Sequence, residues 1–107
     1  MHPLELQQMA VRIERLVHTG THGWHPADEL EFRNLLPMSR VPDPRRKLPD
    51  PKVLREMAQG EQRPEPQEWQ QWQHLVRRAE DLIRDNDPRN PRRIMRDMAR
   101  GRFPTFR

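Results

Sequence analysis

Gln67-Glu68-Trp69-Gln70-Gln71-Trp72-Gln73-His74-Leu75-Val76-Arg77-Arg78-Ala79-Glu80-Asp81-Leu82-Ile83-Arg84-Asp85 is the longest periodic stretch of this chain of 107 residues. Trp69, Trp72, Val76, Ala79 and Ile83 recur three and four apart, and Leu75 and Leu82 widen the same stripe. That is the period of an amphipathic α-helix, and no segment shows the two-residue alternation of a half-buried strand. The expected fold class is therefore all-α.

The same spacing extends outward from this central helix. Leu6, Met9, Ala10, Ile13, Leu16 and Val17 predict a first helix between Pro3 and the Thr19-Gly20 stop. Pro26-Ala27-Asp28-Glu29 opens a short helix with acids in its first turn, where the helix dipole favours them, and Pro37 closes it. Asp50 as cap and Pro51 at the first helical position start a short helix through Val53, Leu54, Met57 and Ala58 that Gly60 ends. Asp87-Pro88 breaks the central helix, and Asn90-Pro91 starts a last one with Ile94, Met95 and Met98 facing inward and Gly101 as its stop. Residues 37 to 51 hold five prolines and predict an extended strap, Arg63-Pro64-Glu65-Pro66 a second connector, and Phe103 and Phe106 an aromatic tail.

The string Asp50-Pro51-Lys52 followed by Val53-Leu54-Arg55-Glu56-Met57-Ala58-Gln59-Gly60 returns as Asn90-Pro91-Arg92, one extra Arg93, and Ile94-Met95-Arg96-Asp97-Met98-Ala99-Arg100-Gly101. The long helices echo each other more weakly, Glu5 to Met9 against Glu68 to Trp72. Two plans follow. In one, a single helical domain over 1–107 is a small bundle of two pseudo-repeated long-helix/short-helix hairpins with proline-rich extended connectors. Its first half, 3–60, carries an inserted loop and strap at 18–49, its second half is 67–101, and an aromatic tail occupies 102–107. In the other, shared capping signals alone produce the similar strings.

Charge narrows the function. The chain carries 34% charged residues and a formal +4, made of 18 arginines and 2 lysines. Arginine holds planar anions bidentately where lysine acts as a point charge. On a helical wheel Arg89, Arg92, Arg93, Arg96 and Arg100 fall within a sector of about 100°, opposite Ile94, Met95 and Met98. Arg92, Arg96 and Arg100 lie on successive turns about 6 Å apart, close to the phosphate spacing of one nucleic-acid strand. Together with Arg102 these are the expected anion-binding residues, with Lys52 and Arg55 of the first copy as a weaker basic pair.

His18, His22 and His25 have imidazoles three and four residues apart that could share a metal ion, but the run straddles Gly20, Gly23 and Pro26, so no common face follows. Loop histidines beside a buried Trp24 are the expectation, with no metal and no cofactor. The chain has no cysteine and no tyrosine, no nucleophile elbow, no phosphate loop and no paired carboxylates in a plausible pocket, so an enzyme is not expected. No apolar run reaches the roughly 18 residues of a membrane span, and Met1-His2-Pro3-Leu4-Glu5 lacks a basic leader, so a cytoplasmic location without membrane contact is expected.

Two functions of different class remain. The first is a small subunit of a nucleoprotein assembly, holding DNA or RNA phosphates through the arginine-striped last helix. The second is an adaptor or inhibitor docking on an acidic surface of a larger protein. Residues 1 to 36 carry three basic and five acidic side chains, a polarity opposite to that of the last helix, which leaves head-to-tail homo-oligomers open as well.

Overall fold

Five of the twelve prolines stand at the first position of an α-helix. There the missing N–H is one the helix could not pair in any case, and the fixed φ already suits the helix. The computed structural model describes residues 1–99, except for the side chains of Arg92, Arg93, Arg96 and Asp97. Within them lie α1 (Pro3–Val17), α2 (Pro26–Leu35), a 3-10 turn (Pro44–Arg46), α3 (Pro51–Gln59), α4 (Pro66–Asp85) and α5 (Pro91–Ala99), and no strand occurs among the described residues. Side chains complete several starts: His2 Nδ1 accepts the Leu4 N–H at 3.1 Å and Asp50 Oδ1 accepts the Lys52 N–H at 2.9 Å. Each supplies one of the partners that the first turn of a helix lacks.

The body is a row of four helices in the order α3, α1, α4, α2, with the α1–α3 contact the most extensive. Leu6, Met9, Ala10, Ile13 and Leu16 give α1 its buried stripe, and Trp72, Leu75, Val76, Ala79 and Leu82 give α4 its own. Leu54 and Ala58 close one side from α3, while Phe32 and Leu35 close the other from α2. Trp69 sits half-buried, edge-on to Trp72 at 6.3 Å between ring centres, and Trp24 meets Phe32 edge-on at 4.9 Å. These are core aromatics, anchoring the loop before α2 and the start of α4.

Several expectations need correction. The strap is not extended throughout, because Asp43 Oδ1 accepts the Arg45 N–H at 2.9 Å and caps a single 3-10 turn in its middle. Buried Leu48 then pins the strap, its N–H donating to the Leu35 carbonyl at 2.7 Å. Gly60 does end α3, at φ −92°, while the left-handed conformation falls on the next residue, Glu61 (φ 59°). Ile94, Met95 and Met98 of α5 do not face inward: they are 39%, 70% and 50% exposed.

The reason for the last correction lies in α4. Its apolar stripe is already covered by α1 on one side and α2 on the other, so the place that a pseudo-symmetric plan gives to α5 is taken by α2. The two short helices therefore lack equivalent neighbours. α3 lies along α1, whereas α5 leaves its apolar face uncovered.

Candidate functional site

α5 leaves the body through a turn built by local hydrogen bonds. Asp87 Oδ1 accepts the Arg89 N–H at 2.9 Å, the Asn90 N–H donates to the Asp87 carbonyl at 2.9 Å, and Asn90 Nδ2 donates to the Arg84 carbonyl at 2.6 Å. These bonds tie the turn to the last carbonyls of α4, so the helix starts from a defined corner. Beyond it Pro91, Ile94, Met95, Met98 and Ala99 are all exposed.

Of the expected anion-binding residues, Arg89 is exposed in the turn before α5. Arg92, Arg93 and Arg96 belong to α5 by their backbone, but their side chains lie outside the described residues, as do Arg100 and Arg102 entirely. Their common sector on the helix thus rests on sequence register. Lys52 is exposed on α3. Arg55 is not available as part of a basic pair, because its guanidinium holds the Glu14 carboxylate across the α1–α3 contact.

That pairing belongs to a pattern. Each of the three main helix contacts of the body carries an arginine–glutamate bridge at its rim: Arg55 with Glu14 between α3 and α1, Arg12 with Glu80 between α1 and α4, and Arg78 with Glu31 between α4 and α2. The last two are two-pronged: Arg12 donates from Nε and a terminal nitrogen to the two Glu80 oxygens, and Arg78 from Nε to Glu31 Oε2 at 2.5 Å and from a terminal nitrogen to Oε1 at 2.8 Å. The hydrogen bond from Arg55 holds the Glu14 carboxyl below its ordinary range, and that from Arg78 does the same to Glu31. All six side chains are close to 40% exposed, so the bridges set register more than they stabilise.

Charge is spread unevenly along the chain. Residues 1 to 87 hold thirteen basic and fifteen acidic side chains, whereas residues 88 to 107 hold seven arginines and one aspartate. The positive balance of the chain comes from its last twenty residues, and the body that carries them is slightly acidic.

The histidines are not brought together. His18 and His22 are exposed, His25 is 4% exposed, and among the described residues no group of three or more histidines and carboxylates is arranged to hold a metal ion. His25 instead belongs to a buried polar node that sequence reasoning missed. Asn86, 1% exposed at the end of α4, accepts the His25 backbone N–H at 3.2 Å and donates to Asp28 at 3.0 Å and to the Leu82 carbonyl at 2.8 Å. One side chain thereby closes the end of α4 and fixes the start of α2. The available signal was an asparagine at the end of a long apolar period, a position where carbonyls lack partners.

No described helix is long and apolar enough to cross a membrane. No protein-family model, curated protein or solved structure matches this chain.

Proposed function

We propose that this chain is a non-catalytic binding protein that seats α5 in an apolar groove with an acidic rim on a larger protein. The observation that carries this reading is the exposure of Ile94, Met95 and Met98, at 39%, 70% and 50%, on a helix whose opposite sector is arginine by register. A phosphate backbone would engage the arginines and leave those three side chains in water. A second copy would cover them but would leave both arginine sectors on the outside without carboxylate partners. A groove with apolar floor and carboxylate rim meets both faces, which is how amphipathic helices are commonly recognised.

Contact with DNA or RNA phosphates, inside a nucleoprotein assembly, is favoured by a different observation. The positive charge is concentrated in residues 88 to 107 while the body is slightly acidic, so a nucleic acid would be drawn to that end and repelled elsewhere.

Capture from source lysate with and without nuclease separates the two, using the parent chain, the pair Ile94→Asp with Met98→Asp, and the triple change Arg92→Ala, Arg96→Ala, Arg100→Ala. Protein docking predicts a partner that survives nuclease, is lost with the aspartate pair at every salt concentration, and associates more slowly with the triple variant mainly at low salt. The reading is overturned if nothing survives nuclease while the parent binds a duplex or a single strand, with a salt dependence that the triple variant flattens by about one unit of log-log slope per lost contact.

A further inference from the structure

A second surface, between the end of α1 and the outer side of α2, has the opposite chemistry to an acidic groove. The end of α1, the outer side of α2 and the first residues of the strap enclose an open groove of about 580 Å³. Val17, Phe32 and Leu36 contribute to its floor, and Leu30 and Met38 stand along it 63% and 71% exposed, more than any other large apolar side chain of the four-helix body. Adjacent exposed apolar groups of this kind mark interaction sites in soluble proteins.

Charge says what would cover them. Among the described residues the charged side chains lining the groove are Arg33 and Arg40, and no carboxylate lines it. Arg33 is partly satisfied, bonded to Glu29 at 2.8 Å one turn away. Arg40 is exposed and makes no ion pair among the described residues. The hydroxyls at the edge are engaged locally, Thr19 Oγ1 donating to the Arg15 carbonyl at 2.7 Å and Ser39 Oγ accepting the Val41 N–H at 3.1 Å. What remains is an apolar floor with one free guanidinium at its mouth, a carboxylate-binding group by its geometry.

We infer that this groove receives a short segment of a partner protein that carries apolar side chains next to carboxylates. The chain's own aromatic tail is a poorer occupant, because Phe103 and Phe106 are flanked by Arg102 and Arg107. A second copy offering the apolar face of α5 brings no carboxylate to Arg33 or Arg40, since the opposite sector is arginine. The volume lies in the range of sites that take a small ligand or a few side chains, so a short segment suffices to fill it. The inference stands apart from the docking of α5 and uses none of its residues.

The test is a fluorescence-anisotropy titration of the full chain with labelled eight-residue peptides that alternate leucine or phenylalanine with aspartate, beside the same peptides with lysine in place of aspartate. The aspartate peptides should bind, the lysine peptides should not, and Arg40→Glu or Met38→Ser should each weaken binding by about tenfold or more. Both side chains are exposed, so circular dichroism of the two variants should match the parent, and Ile94→Asp with Met98→Asp should leave the peptide affinity unchanged. Equal binding of lysine peptides overturns the inference. So does binding that ignores Arg40→Glu and Met38→Ser but is lost with the triple α5 arginine variant, which would move the site to α5. A parent chain that is dimeric by light scattering and that Met38→Ser converts to monomer would assign the groove to a second copy and overturn it equally.

Discussion

α3 and α5 are spelled with nearly the same eight residues, Val53 to Gly60 and Ile94 to Gly101, and they meet different fates. Val53 and Ile94 are alike in exposure, 47% against 39%, but Leu54 is fully buried where Met95 is 70% exposed. Arg55 is held by Glu14, and Ala58 is buried where Ala99 is exposed. Capping residues and apolar period decide that a helix forms, and both strings form one. Where it docks depends on what the neighbouring helix has left uncovered. α1 offers a stripe to α3, whereas α4 has given its stripe to α1 and α2 before α5 begins. The extra Arg93 adds a second difference, turning the apolar stripe about 100° relative to the incoming chain.

The sharpest challenge to this contrast is truncation at matched positions. Leu54→Ala should cost about 2–5 kcal/mol in a urea melt, as large-to-small changes in a packed core do, while Met95→Ala should stay within about 0.5 kcal/mol. Equal costs would mean that α5 is buried after all. Next in size is Asn86→Ala, which strips partners from the His25 N–H and the Leu82 carbonyl and should cost about 1–3 kcal/mol. A neutral result would show that this node does not hold α2 to α4.

Two smaller effects probe the α3 side alone. Glu61→Gly removes the left-handed strain after α3 and should stabilise by about 0.5–1 kcal/mol, detectable as a raised urea midpoint. Acid gives the smallest signal. Glu14 and Glu31 have carboxyls held below their ordinary range, so their bridges contribute above that range and are lost as pH falls through and below it. Stability should therefore decline from neutral pH to about pH 3, and Glu14→Gln with Glu31→Gln should flatten that decline. An unchanged slope would show that the bridges contribute no pH-dependent stability.

Helix positions were legible in the sequence because local signals specify them: proline at the first turn, an aspartate cap, the three-and-four apolar period. Pairing was not, since the repeat suggested a symmetric place for α5 and nothing local announces that α2 occupies it. The roles of individual arginines were legible only in part. Composition separates the last twenty residues from the body, but the bridge of Arg55 to Glu14 spans forty-one positions and depends on how α1 and α3 lie together. The Asn86 node is longer-ranged still, reaching His25 across sixty-one positions.

The central claim, that α3 is covered and α5 is not, is tested most directly by amide hydrogen exchange on the intact free chain, resolved by mass spectrometry to peptides of each helix. The account predicts α3 amides protected nearly to the level of global unfolding and α5 amides exchanging about a hundredfold faster or more. Equal protection of the two helices would contradict it.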